Sequence, residues 1–108
     1  MIFVETPPFE RVREDYLDND QFRLLQLTLL VQPAIGTVIP GSGGVRKMRW
    51  GVPSRGKRGG LRVIYYWMRS PDEIHLLPVY DKTDQVDLSR DQVRAMRAVV
   101  KQIQEQRR

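Results

Sequence analysis

The sequence predicts an α+β fold, with helices packed on an antiparallel or mixed sheet of about four strands. Three observations carry this. Short segments such as "IFVET" and "VRKMRWGV" alternate with the period of a strand. Others, "FERVREDYL" and "VRAMRAVVKQI", place apolar residues at helical spacing. The elements run strand, helix, helix, strand, strand, strand, helix, so the strands cluster instead of alternating one for one with helices.

"IFVET" is a first strand, ended by "TPPF", where proline suits a helix start. "FERVREDYL" is a short amphipathic helix with Phe9, Val12 and Tyr16 on one side. Asp18 or Asn19 caps a second helix, "DQFRLLQLTLLVQ", which ends before Pro33 and whose leucines predict deep burial. "PAIGTVIPGSGG" is a loop. In the strand "VRKMRWGV", Met48 and Trp50 share one face, and Lys47 and Arg49 share the other. "PSRGKRGG" is a turn or loop, and "LRVIYYWM" is apolar on both faces, as a central strand is. "SPDE" turns the chain into "IHLLPVY", giving an antiparallel hairpin. Pro78 lacks a ladder donor, so the last strand is expected at an edge or broken there. Ser89 caps the C-terminal helix, with Gln92 in the capping-box position and Val93, Met96, Val100 and Ile103 as its apolar stripe.

The chain of 108 residues fits one domain, residues 1–108, and its 41% hydrophobic content allows a modest core. With no cysteine it has no disulfide framework and no thiolate chemistry. No signal peptide and no membrane-length apolar run is visible, so a soluble, cytoplasmic protein is expected. The net charge is +5, and its placement is informative. From Gln21 to Pro71 there is no acid, while Arg23, Arg46, Lys47, Arg49, Arg55, Lys57, Arg58, Arg62 and Arg69 all fall there. A one-sided cationic surface is the footprint of a polyanion partner.

Familiar catalytic patterns fail. "GSGGVRK" lacks the Gly-Lys-Ser/Thr of a phosphate loop and the third glycine of a dinucleotide fingerprint, and a strand follows it where a helix should. His75 is the only histidine and is expected at a strand surface or interface, without companions for a metal site. Asp72 and Glu73 are expected in a turn, and Asp81, Asp84 and Asp87 near the last helix, so no buried acid pair is expected. Adjacent Tyr65, Tyr66 and Trp67 point to alternate faces, so at least one belongs to the core. What remains is the cations. RNA supplies its own nucleophile, the ribose 2′-OH. The protein must align the backbone, spread the charge of the transition state and protonate the leaving oxygen. Arginine suits the second task, because its fork matches two phosphate oxygens. A lysine near pKa 10.4 is a poor acid until neighbouring cations lower it, and Lys57 has Arg55, Arg58 and Arg62 close in sequence.

The motifs "GSGGVRKMRW", "RGKRGGLRVIYYW" and "LLPVYDKTDQVDLS" resemble successive signatures of the RelE superfamily of type II toxins, in its HigB-like branch. The resemblance extends over nearly the whole chain, including "REDYLDNDQFRLLQ" and the capped last helix. It implies a microbial-RNase-like α+β fold and ribosome-dependent, metal-free cleavage of mRNA that stops translation, with no cofactor. It also implies a cognate antitoxin with a helix-turn-helix domain, through which the complex reaches operator DNA. On the matching positions, Arg62 contacts the scissile phosphate. Arg55, Lys57 and Arg58 grip the backbone or supply the proton, and either Lys57 or Arg58 fits the chemistry. Lys82 and Tyr80 complete the catalytic set, while Arg46, Lys47 and Arg49 face mRNA or ribosomal RNA. The chain departs from the pattern at "TDQ" after Lys82 and at Pro78, where relatives carry an aliphatic residue. Two other classes fit the same surface: a non-catalytic nucleic-acid-binding module, and an inactive toxin homologue acting through its antitoxin.

Overall fold

A computed structural model describes residues 1–52 and 57–106, with the backbone alone for 52 and 57–59. The elements are β1 (Ile2–Glu5), α1 (Pro7–Tyr16), α2 (Asn19–Val31), β2 (Thr37–Val38), β3 (Arg46–Val52), β4 (Lys57–Met68), β5 (Glu73–Asp81) and α3 (Arg90–Gln106). They form one mixed sheet in the order β1-β5-β4-β3-β2. Every pairing is antiparallel except β1 with β5. The α+β expectation holds, with five strands where about four were expected. The additional one, β2, is two residues long and lies inside the segment read as loop.

Capping follows the sequence. The Asp18 carboxylate accepts the Gln21 N–H at 2.8 Å and starts α2. Ser89 Oγ accepts the Gln92 N–H at 3.1 Å, and Gln92 Oε1 accepts the Ser89 N–H at 2.8 Å, which is the capping box expected for α3. "GSGG" is a tight turn: Gly43 and Gly44 sit at φ +82° and +109°, a region closed to most side chains, and buried Ser42 Oγ accepts the Val45 N–H at 3.0 Å.

Strand alternation divides the core in two. Phe9, Leu17, Leu25 and Leu29 of the α1–α2 layer meet Met48, Leu61, Val63, Tyr65, Ile74, Leu76 and Val79 on one face. On the other, Met96, Val100 and Ile103 of α3 meet Val45, Ile64, Tyr66, Met68, Leu77 and Tyr80.

Four expectations are corrected. α2 is not deeply buried: Leu25 and Leu29 are enclosed, but Leu24, Leu27 and Leu30 are each about half exposed. β5 is not an edge: it lies between β1 and β4, and the proline is absorbed by a bulge. Register with β4 runs Tyr65↔Leu76, then resumes at Val63↔Val79, so Leu77 and Pro78 together stand opposite Ile64. β1 bonds only as far as Thr6 N–H to Leu76 C=O, so the proline's missing donor lies beyond that ladder. His75 is not at a surface but 6% exposed, its Nε2 3.2 Å from Glu73 Oε1. Glu73 is likewise inside β5, not in a turn, and is buried. Both are covered because β1 lies alongside, pairing Ile2 with Glu73 and Val4 with His75.

Candidate active site

The α3 layer covers only part of its face of the sheet. Beyond it the same face carries Lys47 and Arg49 of β3 and Arg62 of β4. Their side follows from neighbours of opposite parity: Met48, Leu61 and Val63 are in the α1–α2 core. Arg49 and Arg62 are direct cross-strand partners. Like charges placed directly opposite one another on a sheet face repel. The cations line a groove of about 560 Å³ together with Ile35, Thr37, Met48, Val86 and Asp87. Asp87 is the one carboxylate in that lining among the described residues.

Tyr80 turns to the same sheet face, into the α3 core beside the groove, because of the bulge. A regular strand would give Tyr80 the parity of Leu76 and turn it toward the α1–α2 core. The residue added at Leu77–Pro78 reverses the phase, so that Val79 enters that core and Tyr80 stands opposite Arg62. Its ring is 7% exposed, and its hydroxyl has no hydrogen-bond partner among the described residues. Burial pushes the phenol up from its ordinary value, and Lys47 and Arg62 oppose that while Asp87 adds to it. Tyr80 is therefore a neutral O–H at physiological pH. Leaving such a group unsatisfied costs on the order of 1–3 kcal/mol.

Asp87 bridges to Lys47, with Nζ to Oδ1 at 3.0 Å, and its own Oδ1 accepts the Leu88 N–H at 2.8 Å. The Lys47 hydrogen bond, then that of Leu88, and the fields of Lys47 and Arg62 hold its carboxyl below the usual aspartate value. Arg62 Nη1 donates to the Leu61 carbonyl at 3.2 Å, which directs the guanidinium along its own strand.

The remaining expected residues divide. Lys82 is exposed directly after β5, its N–H bonded to the Gly60 carbonyl at 2.9 Å, which ties the end of β5 to the start of β4. Arg46 is not with the others. It has the parity of Met48, and its Nη1 donates to the carbonyls of Ala34 at 3.2 Å and Gly36 at 2.7 Å. Arg55 and the side chains of Lys57 and Arg58 lie outside the described residues. The backbone of Lys57 already belongs to β4, paired with Val52, so that strand begins within the segment read as a turn. Tyr65 and Tyr66 are core residues, while Trp67 Nε1 donates to Asp72 at 3.2 Å and the Arg69 guanidinium lies 5.1 Å over its ring. Sequence reading missed Asp87, Thr37, Ile35 and Val86. Nothing in local spacing brings Asp87 to Lys47, 40 residues upstream.

No family model matches the chain. Among solved structures, a double arginine-to-alanine variant of the E. coli toxin RelE in its free state superposes with a TM-score of 0.57. The match covers 90% of this chain and 93% of that one, at 13% identity. The fold is RelE-like. In this RelE-like fold the groove opens on the sheet face that α3 leaves uncovered. No described helix is long and apolar enough to cross a membrane.

Proposed function

We propose that the chain is the toxin of a type II toxin–antitoxin pair, a ribosome-dependent mRNA endonuclease that halts translation. The observation that carries this reading is the facing Arg49–Arg62 pair on the part of a RelE-like sheet that α3 leaves uncovered, beside a tyrosine hydroxyl with no partner among the described residues. The ribose 2′-OH gives up its proton to solvent water and attacks the adjacent phosphorus, the P–O5′ bond breaks, and the leaving oxygen takes a proton, so that a 2′,3′-cyclic phosphate and a 5′-hydroxyl result. Arg62 stabilises the charge on the non-bridging oxygens. It is fixed by the buried Leu61 and Val63 on either side of it, so little reorganisation is needed at reaction. The Tyr80 O–H hydrogen-bonds a phosphate or leaving oxygen in the bound complex. Lys47 and Arg49 hold the flanking backbone. Arg55, Lys57, Arg58 and Lys82 are assigned to the RNA backbone from the sequence, and either Lys57 or Arg58 supplies the leaving-group proton. The chemistry uses no metal and no cofactor. The partners are mRNA on the ribosome and a helix-turn-helix antitoxin, which also brings the complex to operator DNA.

Tight-promoter expression of the wild type and of Arg62→Ala, followed by growth and mRNA integrity, tests the proposal. Growth arrest and mRNA cleavage are expected from the wild type only. No arrest from the wild type overturns the enzyme reading, and equal arrest from both overturns the assignment of Arg62.

A further inference from the structure

The Lys47–Asp87 bridge lies inside the proposed phosphate groove. Both groups are substantially open to solvent, with side-chain exposures of 32% and 65%. Such pairs contribute about 0–1 kcal/mol to stability, so holding the fold together is a weak reason for this one. Its surroundings are nonetheless ordered. The Asp87 carbonyl accepts from Gln85 Nε2 at 2.9 Å, and the same amide donates to Gln92 Oε1 of the capping box at 3.1 Å. Leu88 packs on the α3 core, while Val86 on the other side is 91% exposed. The backbone of Asp87 is thus tied on its C-terminal side. Its carboxylate can leave Lys47 by a side-chain rotation that also releases the exposed Leu88 N–H to solvent.

We infer that Asp87 is a resident substitute for an RNA phosphate. Its ionised carboxylate occupies the anion position made by Lys47 under the field of Arg62, and a bound backbone phosphate displaces it. This rests on the RNA-cleavage reading above and adds a regulatory element to it. Lys47 is masked in the free protein, so weak or misplaced polyanions must compete with an intramolecular carboxylate. A correctly seated RNA, gripped also at Arg49 and Arg62, displaces it.

Asp87→Asn keeps an oxygen acceptor for the Leu88 N–H and removes the charge. Asp87→Ser does the same with a hydroxyl and serves if the asparagine variant does not fold. Asp20→Asn, on the first turn of α2 across the sheet, controls for net charge. Affinity for a short labelled single-stranded RNA is measured by fluorescence anisotropy over a salt series. Asp87→Asn is expected to bind several-fold tighter than the wild type, and Asp20→Asn much less so. Adding Lys47→Gln to Asp87→Asn is expected to weaken binding and reduce the log–log salt slope by about 0.7, the value for one phosphate contact on a single strand. The inference is overturned if Asp87→Asn and Asp20→Asn bind alike, or if Lys47→Gln has no effect in the Asp87→Asn background. Salt-insensitive or absent RNA binding in every variant overturns the function reading as well. Binding weakened by Arg62→Ala but indifferent to Asp87 overturns this inference alone.

Discussion

The two faces of the sheet treat the same side chains in opposite ways. On the α1–α2 face, Arg46 closes on the Ala34 and Gly36 carbonyls, and the Tyr65 hydroxyl donates to Pro33 C=O and accepts from Gly36 N–H, both at 2.8 Å. On the α3 face, Arg49 stands opposite Arg62, and the Tyr80 hydroxyl lacks a partner among the described residues. One residue of β3 separates Arg46 from Lys47. Charge and position in the chain therefore do not decide which cations meet a ligand. The pleat does, by sending neighbours either into a layer that must satisfy them or into one left partly uncovered.

The largest expected effect breaks the α3 face. If the chain has the proposed activity, Arg62→Ala should lower mRNA cleavage by on the order of 10²–10³, the loss seen when one preorganised charge-stabilising donor is removed. The melting temperature should barely move, because the side chain is only partly buried and belongs to neither hydrophobic core. A large fall in melting temperature would mean that Arg62 is structural like Arg46.

Tyr80→Phe comes next, with a fall in cleavage of about 10²-fold if the hydroxyl donates a proton or a strong hydrogen bond. Stability should stay level or rise, since an unsatisfied buried O–H is removed. Tyr65→Phe on the opposite face should do the reverse: cleavage retained and stability lost. If both variants behave alike, the distinction between the faces fails.

How far the sequence disclosed this depends on the range of the interaction. Asp18 and the Ser89–Gln92 box cap their helices as read, because capping is settled within three or four residues. The split of Met48 and Trp50 from Lys47 and Arg49 was legible for the same reason. The same alternation already set Arg46 apart, and grouping it with the RNA-facing residues followed charge instead of parity. The bulge at Pro78 was not legible. Proline signalled an irregularity, but whether it would end the strand or shift its phase depends on where β1 stops. The burial of Glu73 and His75 depends on β1 lying parallel to β5, a contact between residues some seventy positions apart in the chain. The Lys47–Asp87 bridge is also set by tertiary placement alone.

A smaller effect isolates the structural face. Arg46→Met removes two charge-assisted hydrogen bonds to carbonyls and should cost about 1–3 kcal/mol in denaturant unfolding. The salt slope for RNA binding should be unchanged, whereas Arg49→Met should lower it by about 0.7 with little change in stability. An altered slope in Arg46→Met would return that residue to the RNA surface.

The smallest effect compares the two tyrosines by pH. Burial raises Tyr65 from its ordinary value, opposed by the Gly36 hydrogen bond and by Arg46, and burial is likewise the largest cause for Tyr80. In both, the folded state favours the protonated phenol more than the unfolded state does. Their contribution is fully present below the unfolded tyrosine value of about 10 and is lost as pH rises through the raised folded values. Unfolding free energy should therefore be flat with respect to these groups through neutral pH and decline above about pH 10. Tyr80→Phe should make that decline shallower from an unchanged or higher plateau. Tyr65→Phe should make it shallower from a lower plateau, because its hydroxyl also joins the Pro33–Gly36 segment to β4. Urea midpoints measured at intervals from pH 7 to the alkaline limit read plateau and slope separately. Equal plateaus for the two variants would show that the Tyr65 hydrogen bonds add nothing beyond burial.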